Sequence, residues 1–298
     1  MPSIVYRSLA KPAQVLQVVP SEAPDGKNVL IRVAAVPLHP GDLLGVEGAG
    51  VISAIGPDVD PTLGLKAGDR VTFFPVSGAW SDHVVASSLV PLPDGVSNEV
   101  GAQMLINTIT ANLVARTGNA ALPKNERTDI VVIQNGAGLL VWRLLSKGLS
   151  ENGATTIRLV RSTKSAEELR SKLAVGPVFA TEEDGWKDKV RAEIGSRRVN
   201  VAFDGVVGPL LADVVELVVQ GATVVNYGSG SRGGITMDIR LLVPHAITLK
   251  GVSMGRWGSG TRRAQGSRHR TRAQLRADRS RTVRRRRARC SHLDRRGT

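Results

Sequence analysis

The 298-residue chain is poor in cysteine and in aromatic side chains: it has one cysteine, Cys290, two tyrosines, four phenylalanines and four tryptophans. A single cysteine excludes an internal disulfide and the stapled secreted folds that depend on one, so a reducing compartment is expected. Residues 1–257 hold no cysteine and three dispersed histidines, His39, His83 and His245. A catalytic zinc ion needs three converging ligands of those kinds, so no metal is expected. No run of about eighteen apolar residues occurs, and Met1-Pro2-Ser3-Ile4-Val5-Tyr6 has no basic region leading into an apolar core. Neither a membrane span nor a secretory leader is expected, and a cytoplasmic protein follows. No internal repeat is visible.

Acidic residues are scarce at one end. Residues 258–298 contain fifteen arginines and no lysine against Asp278 and Asp294, a net of +13, so residues 1–257 carry +1 of the formal +14. The body is close to neutral and has no excess of basic residues with which to bind nucleic acid. The tail has Leu275, Val283 and Leu293 as its branched aliphatic residues and no aromatic residue, too little apolar surface to offset chain entropy, so disorder is expected. Two origins stay open for it. One is an arginine-rich arm for nucleic acid or an anionic surface, although no aromatics interleave for base stacking and no glycine-arginine repeat occurs. The other is translation of a shifted reading frame in a GC-rich gene.

The most informative stretch of what is present runs from Ile130 to Arg161. Ile130-Val131-Val132-Ile133 reads as a buried strand, Gln134-Asn135-Gly136-Ala137-Gly138 as a tight turn, and a helix can begin near Leu139. The unpaired N–H groups at such a helix start suit a pyrophosphate. A second strand, Thr156 to Val160, delivers Arg161 twenty-three residues after Gly138. At that place a cation fits the 2′-phosphate of NADP, where an acid would bind the free ribose hydroxyl of NAD. The glycine pattern is incomplete. With Gly136 and Gly138 as the first two glycines, Val141 occupies the third position and Trp142 follows, a bulk expected to push the helix outward.

Residues 1 to about 105 read as short strands parted by turns, among them 28–36, 48–56 and 68–74, which indicates a barrel or sandwich. The pattern turns helical from Ala102 to Arg116. Strands then alternate with helices through Val199–Phe203, Leu210–Val219, Ala222–Tyr227 and Ile247–Val252, which implies a parallel sheet.

Gly48-Ala49-Gly50-Val51, Gly68-Asp69-Arg70-Val71, Asn107-Thr108-Ile109-Thr110-Ala111, the dinucleotide turn and Tyr227-Gly228-Ser229-Gly230, in that order, resemble the medium-chain dehydrogenase/reductase superfamily. Within it, Val132-Ile133-Gln134-Asn135, Leu159-Val160-Arg161-Ser162 and the run Leu249 to Trp257 look most like the NADPH-dependent trans-2-enoyl-thioester reductases, with quinone reductases close behind. The resemblance implies an α/β chain with a GroES-like β-barrel domain (1–110), a doubly wound parallel-sheet (Rossmann) NADP-binding domain (111–257) and the basic tail (258–298). It also implies hydride delivery from NADPH to the β-carbon of an α,β-unsaturated thioester followed by α-protonation, with quinone reduction as the alternative enzyme reading and a homodimer as an inherited expectation.

By the same resemblance, Asn107 is expected close to the nicotinamide, Gly138, Leu139, Leu140 and Val141 along the pyrophosphate, and Arg161, Ser162 and Thr163 on the 2′-phosphate with Lys164 as auxiliary charge. Tyr227, Gly228, Ser229, Gly230, Val252, Ser253 and Met254 are expected to border the nicotinamide end. Each has a plainer reading: Asn107 as a helix cap, Tyr227 as a strand end, Arg161 as a solvated side chain, His39 as a turn residue or supporting donor. The chain departs from the family in two places. It runs Asp42-Leu43-Leu44-Gly45-Val46-Glu47-Gly48 without the loop of some twenty residues that carries the catalytic tyrosine of enoyl reductases, and the arginine tail stands where the family chain returns to its first domain. No catalytic residue is therefore assigned, and an impaired enzyme is expected.

Overall fold

The computed structural model describes residues 2–5, 17–20, 24–39, 45–122, 130–136, 140–151, 153–172, 176–228, 237–238, 240 and 242–254. The expected tail at 258–298, the Pro40-Gly41-Asp42 turn, Gly138, Leu139, Ser229 and Gly230 lie outside them. One compact unit extends to Val252 and a second begins at Ser253.

The first half is antiparallel. Strands β1 (Pro2–Val5) and β2 (Gln17–Pro20) pair with each other. Strands β3 (Val29–Ala35), β4 (Gly48–Ile55), β5 (Arg70–Phe73), β6 (His83–Ala86) and β7 (Leu89–Pro91) form a five-stranded sheet in the order β6-β3-β4-β5-β7. Their alternation places Val29, Ile31, Ile52, Val71, Phe73 and Val84 on one buried face. Gly50 is dictated by contact: a Cβ there would lie 2.2 Å from the Arg32 carbonyl oxygen on β3.

Two helices follow, α1 (Asn98–Gly101), capped by the Ser97 side chain on the Val100 N–H, and α2 (Met104–Ala121). Helix α2 starts two residues later than the sequence pattern suggests and continues through Gly118, where the ring of Phe203 fills the space that a side chain would take. The boundary expected at residues 110 and 111 falls inside this continuous helix.

The second half is a six-stranded parallel sheet. Its strands are β8 (Val131–Asn135), β9 (Thr155–Val160), β10 (Val178–Ala180), β11 (Val199–Asp204), β12 (Thr223–Asn226) and β13 (Thr248–Gly251). The crossovers carry α3 (Leu140–Glu151), α4 (Thr163–Lys172), α5 (Trp186–Ile194) and α6 (Pro209–Val215). The order β10-β9-β8-β11-β12-β13 is the 3-2-1-4-5-6 sequence of a doubly wound fold. Both faces are covered. Val131, Ile133, Ile157 and Leu159 pack with Val190, Leu211 and Val214, while Val132, Val201 and Val225 pack with Val114, Leu145 and Leu149. Each such aliphatic side chain contributes roughly 1.5–3 kcal/mol by leaving water.

The bulk at Val141 and Trp142 is taken up sideways. Val141 is half-buried, whereas Trp142 is fully buried among Val160, Ala166, Leu169, Val178 and Ala180, with the Arg158 guanidinium 5.4 Å from its ring centroid. Arg158, 3 % exposed, donates from Nη1 to the Thr156 carbonyl at 2.8 Å, and among the described residues its Nε, the Trp142 Nε1 and the Thr156 hydroxyl have no partner. Burial lowers the Arg158 pKa from its ordinary value.

Candidate functional site

The switch point of the parallel sheet lies between β8 and β11, the central pair, where successive crossovers leave to opposite sides and a crevice opens at the carboxyl ends of the strands. Two residues that end those strands meet there. Asn135 Nδ2 donates to Asp204 Oδ1 at 2.5 Å, and Asn135 Oδ1 accepts from the Gly205 N–H at 2.8 Å. Asp204 Oδ1 also accepts from the Val206 and Val207 N–H groups at 3.1 and 3.0 Å, and Oδ2 from Asn226 Nδ2 at 3.0 Å. Asn135 and Asp204 are both fully buried. The carboxylate therefore fixes the turn after β11 and ties the ends of three neighbouring strands.

That turn is held in an unfavourable shape. Val207 has φ +63°, a left-handed conformation that a β-branched residue avoids. A Cβ on Gly228 would lie 2.1 Å from the Gly205 carbonyl oxygen, and one on Gly205 would strike the Tyr227 ring, so the two loops touch backbone to backbone. Gly136, at the end of β8, has φ +70° and supports the tight-turn reading.

Tyr227 packs half-buried at this edge with Val252, whose N–H donates to the Asn226 carbonyl at 2.7 Å. Burial pushes the Tyr227 phenol up to about 12, with the neighbouring Gln134 amide holding back part of the rise and the Asp204 charge adding to it. Gln134 is fully buried and accepts from the Ser146 hydroxyl at 3.0 Å, while among the described residues its Nε2 and the Tyr227 hydroxyl reach no partner in full hydrogen-bond geometry.

A second cluster stands at the end of β9. Arg161 is exposed and makes no side-chain hydrogen bond or ion pair among the described residues. Ser162 caps α4, accepting from the Ser165 N–H at 3.2 Å. The Thr163 N–H donates to Glu182 Oε1 at 2.8 Å and its hydroxyl to Glu183 Oε1 at 3.3 Å. Lys164 is exposed. Leu140 and Val141 form the first turn of α3.

A third cluster joins the antiparallel half to α2. Glu47 is fully buried, and its carboxylate takes His39 Nε2 at 2.8 Å and the Ile106 N–H at 2.8 Å. The first-turn position of that N–H favours an anion. Asn107, buried, does not cap the helix: its Nδ2 donates back to the Gln103 carbonyl at 2.9 Å. His39 is thus a supporting donor, and Glu47 is its partner. Ser253 and Met254 belong to the second compact unit.

Sequence reasoning gathered Arg161, Ser162 and Thr163, which are contiguous, and placed Tyr227 and Gly228 at the crevice. It missed Asn135 as a side chain, Asp204, Glu47 and Glu182. Their roles arise from pairings across 69, 59 and 19 residues, and no local spacing announces those.

Comparison with known proteins agrees with this architecture. Residues 144–265 match the family described as zinc-binding dehydrogenase. The mitochondrial enoyl-[acyl-carrier-protein] reductase of Caenorhabditis elegans is 26% identical over 277 residues, covering 86% of this chain and 78% of that protein. The Arabidopsis thaliana protein of the same name is 26% identical over 281 residues, covering 86% of this chain and 72% of its own. The chain is thus similar to the medium-chain dehydrogenase/reductase superfamily. Among solved structures, the quinone oxidoreductase of Pseudomonas syringae pv. tomato superposes with a TM-score of 0.71 at 24% identity, covering 87% of this chain and 83% of that one. The Escherichia coli quinone oxidoreductase complexed with NADPH gives 0.69 at 20%, covering 85% and 81%. The two sheets described above are therefore the GroES-like and Rossmann-like halves of a medium-chain reductase fold. Among the described residues no three His, Cys, Asp or Glu side chains come together as a metal site, and no helix is long and apolar enough to cross a membrane.

Proposed function

We propose that this chain binds NADPH across the carboxyl edge of its parallel sheet and reduces an α,β-unsaturated thioester. The observation that carries the coenzyme reading is Arg161: an exposed guanidinium with no ion pair among the described residues, at the end of the second strand next to Ser162, at the place where a doubly wound fold meets the adenosine ribose. The residues present fit the coenzyme. Gly136 allows the turn under a pyrophosphate, and the first turn of α3, Leu140 and Val141, supplies helix-start N–H groups. The crowded Gly205–Gly228 approach leaves backbone rather than side chains at the crevice floor.

Bound NADPH supplies a hydride to the electron-poor carbon of the acceptor. This chain's part is positioning and exclusion of water. Arg161, Ser162 and Thr163 would hold the adenosine end, and Tyr227, Gly228, Val252 and Asn107 would border the nicotinamide end. No residue is assigned as the proton donor to the α-carbon. The proposed division of labour gives residues 1–110 the acceptor and 111–257 the coenzyme. The proposed setting is a homodimer in the cytoplasm, which rests on the single cysteine for the compartment and on kinship for the dimer.

The similarity to enoyl-[acyl-carrier-protein] reductases over most of the chain favours the thioester, and the quinone oxidoreductases among structural neighbours favour quinone reduction as the second reading. Steady-state oxidation of NADPH with crotonyl-CoA and, separately, with p-benzoquinone tests the order. Turnover of crotonyl-CoA is expected, and quinone turnover without it reverses the assignment.

A further inference from the structure

Next to the seat proposed for the 2′-phosphate stands a carboxylate. The segment leaving β10 is laid against the end of β9, with the Thr181 N–H on the Val160 carbonyl at 2.9 Å and the Glu182 N–H on the Arg161 carbonyl at 3.1 Å. This brings Glu182 Oε1 to 2.8 Å from the Thr163 N–H, which opens α4. Glu183 lies beside it, on the Thr163 hydroxyl at 3.3 Å. The two acids differ in what answers their charge. Glu183 Oε2 forms an ion pair with Lys189 Nζ at 2.7 Å, which holds its carboxyl below the usual range. Glu182 has no cation within ion-pair distance among the described residues; even Arg161, whose carbonyl it contacts through its backbone, does not reach its carboxylate. Both acids line an open depression of about 360 Å³ with Thr181, Trp186 and Arg191.

We propose that Glu182 sets the coenzyme preference of this chain by competing with the 2′-phosphate for the Thr163 N–H. The inference rests on the reading of Arg161, Ser162 and Thr163 as the 2′-phosphate seat. One N–H at a helix start serves one anion. A phosphate carrying close to two charges and a carboxylate brought to the same donor repel each other, so NADPH enters only as Glu182 swings out. NADH brings a hydroxyl in place of the phosphate and can donate to the carboxylate as it stands. Arg161 thus pulls toward NADPH and Glu182 toward NADH, and the preference of the chain is the difference.

The test is equilibrium titration of the full chain with NADPH and NADH, and with adenosine 2′,5′-bisphosphate and AMP as probes of the adenosine end alone. Glu182→Gln keeps a neutral acceptor for the Thr163 N–H and removes the charge. It is expected to tighten NADPH and the bisphosphate about tenfold and to weaken NADH and AMP, whose ribose hydroxyl loses a charged acceptor, by about twofold or more. Glu182→Ala, which removes the acceptor as well, is expected to move the ratio in the same direction. An unchanged or weakened NADPH affinity in both variants overturns the proposal. The parent reading fails differently: a wild-type chain that binds neither the bisphosphate nor NADPH overturns both, whereas NADPH binding that depends on Arg161 but ignores Glu182 overturns this inference alone.

Discussion

Asn135 and Asp204, 69 residues apart in sequence, clamp the ends of the first and fourth strands of the parallel sheet through a buried amide–carboxylate contact of 2.5 Å. Among the described residues the Asp204 carboxylate has four N–H donors and no cation beside it. Asp204→Ala orphans the Asn135 and Asn226 amides and frees the strained Val207 turn. It is expected to cost about 3–5 kcal/mol in urea unfolding, and Asp204→Asn distinctly less. Equal, small costs for both variants would mean that the clamp contributes little.

The Arg158 guanidinium is the opposite case, a buried cation with no anion beside it among the described residues. Its stacking on Trp142 and its bond to the Thr156 carbonyl offset part of the desolvation cost. Arg158→Met, close in length and apolar, is expected to raise unfolding stability by about 1–3 kcal/mol. A loss of stability in denaturant titration contradicts this reading.

Tyr227 gives the fold an alkaline limit. Its folded pKa of about 12 stands above the ordinary tyrosine value of 10, so the unfolded chain releases the proton first. Its contribution is complete below pH 10 and is lost as pH rises from 10 to 12, to a total of about 2–3 kcal/mol. Tyr227→Phe is expected to flatten that part of the stability–pH curve. An ultraviolet titration in which this phenol ionises near pH 10 contradicts the burial argument.

Much of the fold was legible because period and punctuation agree with it. The β-branched run at 130–133 leads into β8 and supplies its first three residues, the glycine-bounded stretch at 48–56 contains β4, and Arg161 does follow the last residue of β9. The region 163–198 was not legible: α4 is polar on most of its surface, and β10 has three residues. Helix α2 runs past the expected end because Phe203, from a strand formed eighty residues later, packs on Gly118 and repays a poor helix former. At the site the distinction is similar. Arg161 and Gly136 announce themselves by position along a βαβ unit, whereas Asp204, Glu47 and Glu182 acquire meaning only when distant segments meet.

Arg161 carries the coenzyme assignment, and titration of wild type and Arg161→Ala with NADPH and NADH tests it most directly. Loss of the guanidinium is expected to weaken NADPH about tenfold or more while NADH changes by less than about twofold. Equal weakening of both coenzymes, or no binding of NADPH by the wild-type chain, contradicts it.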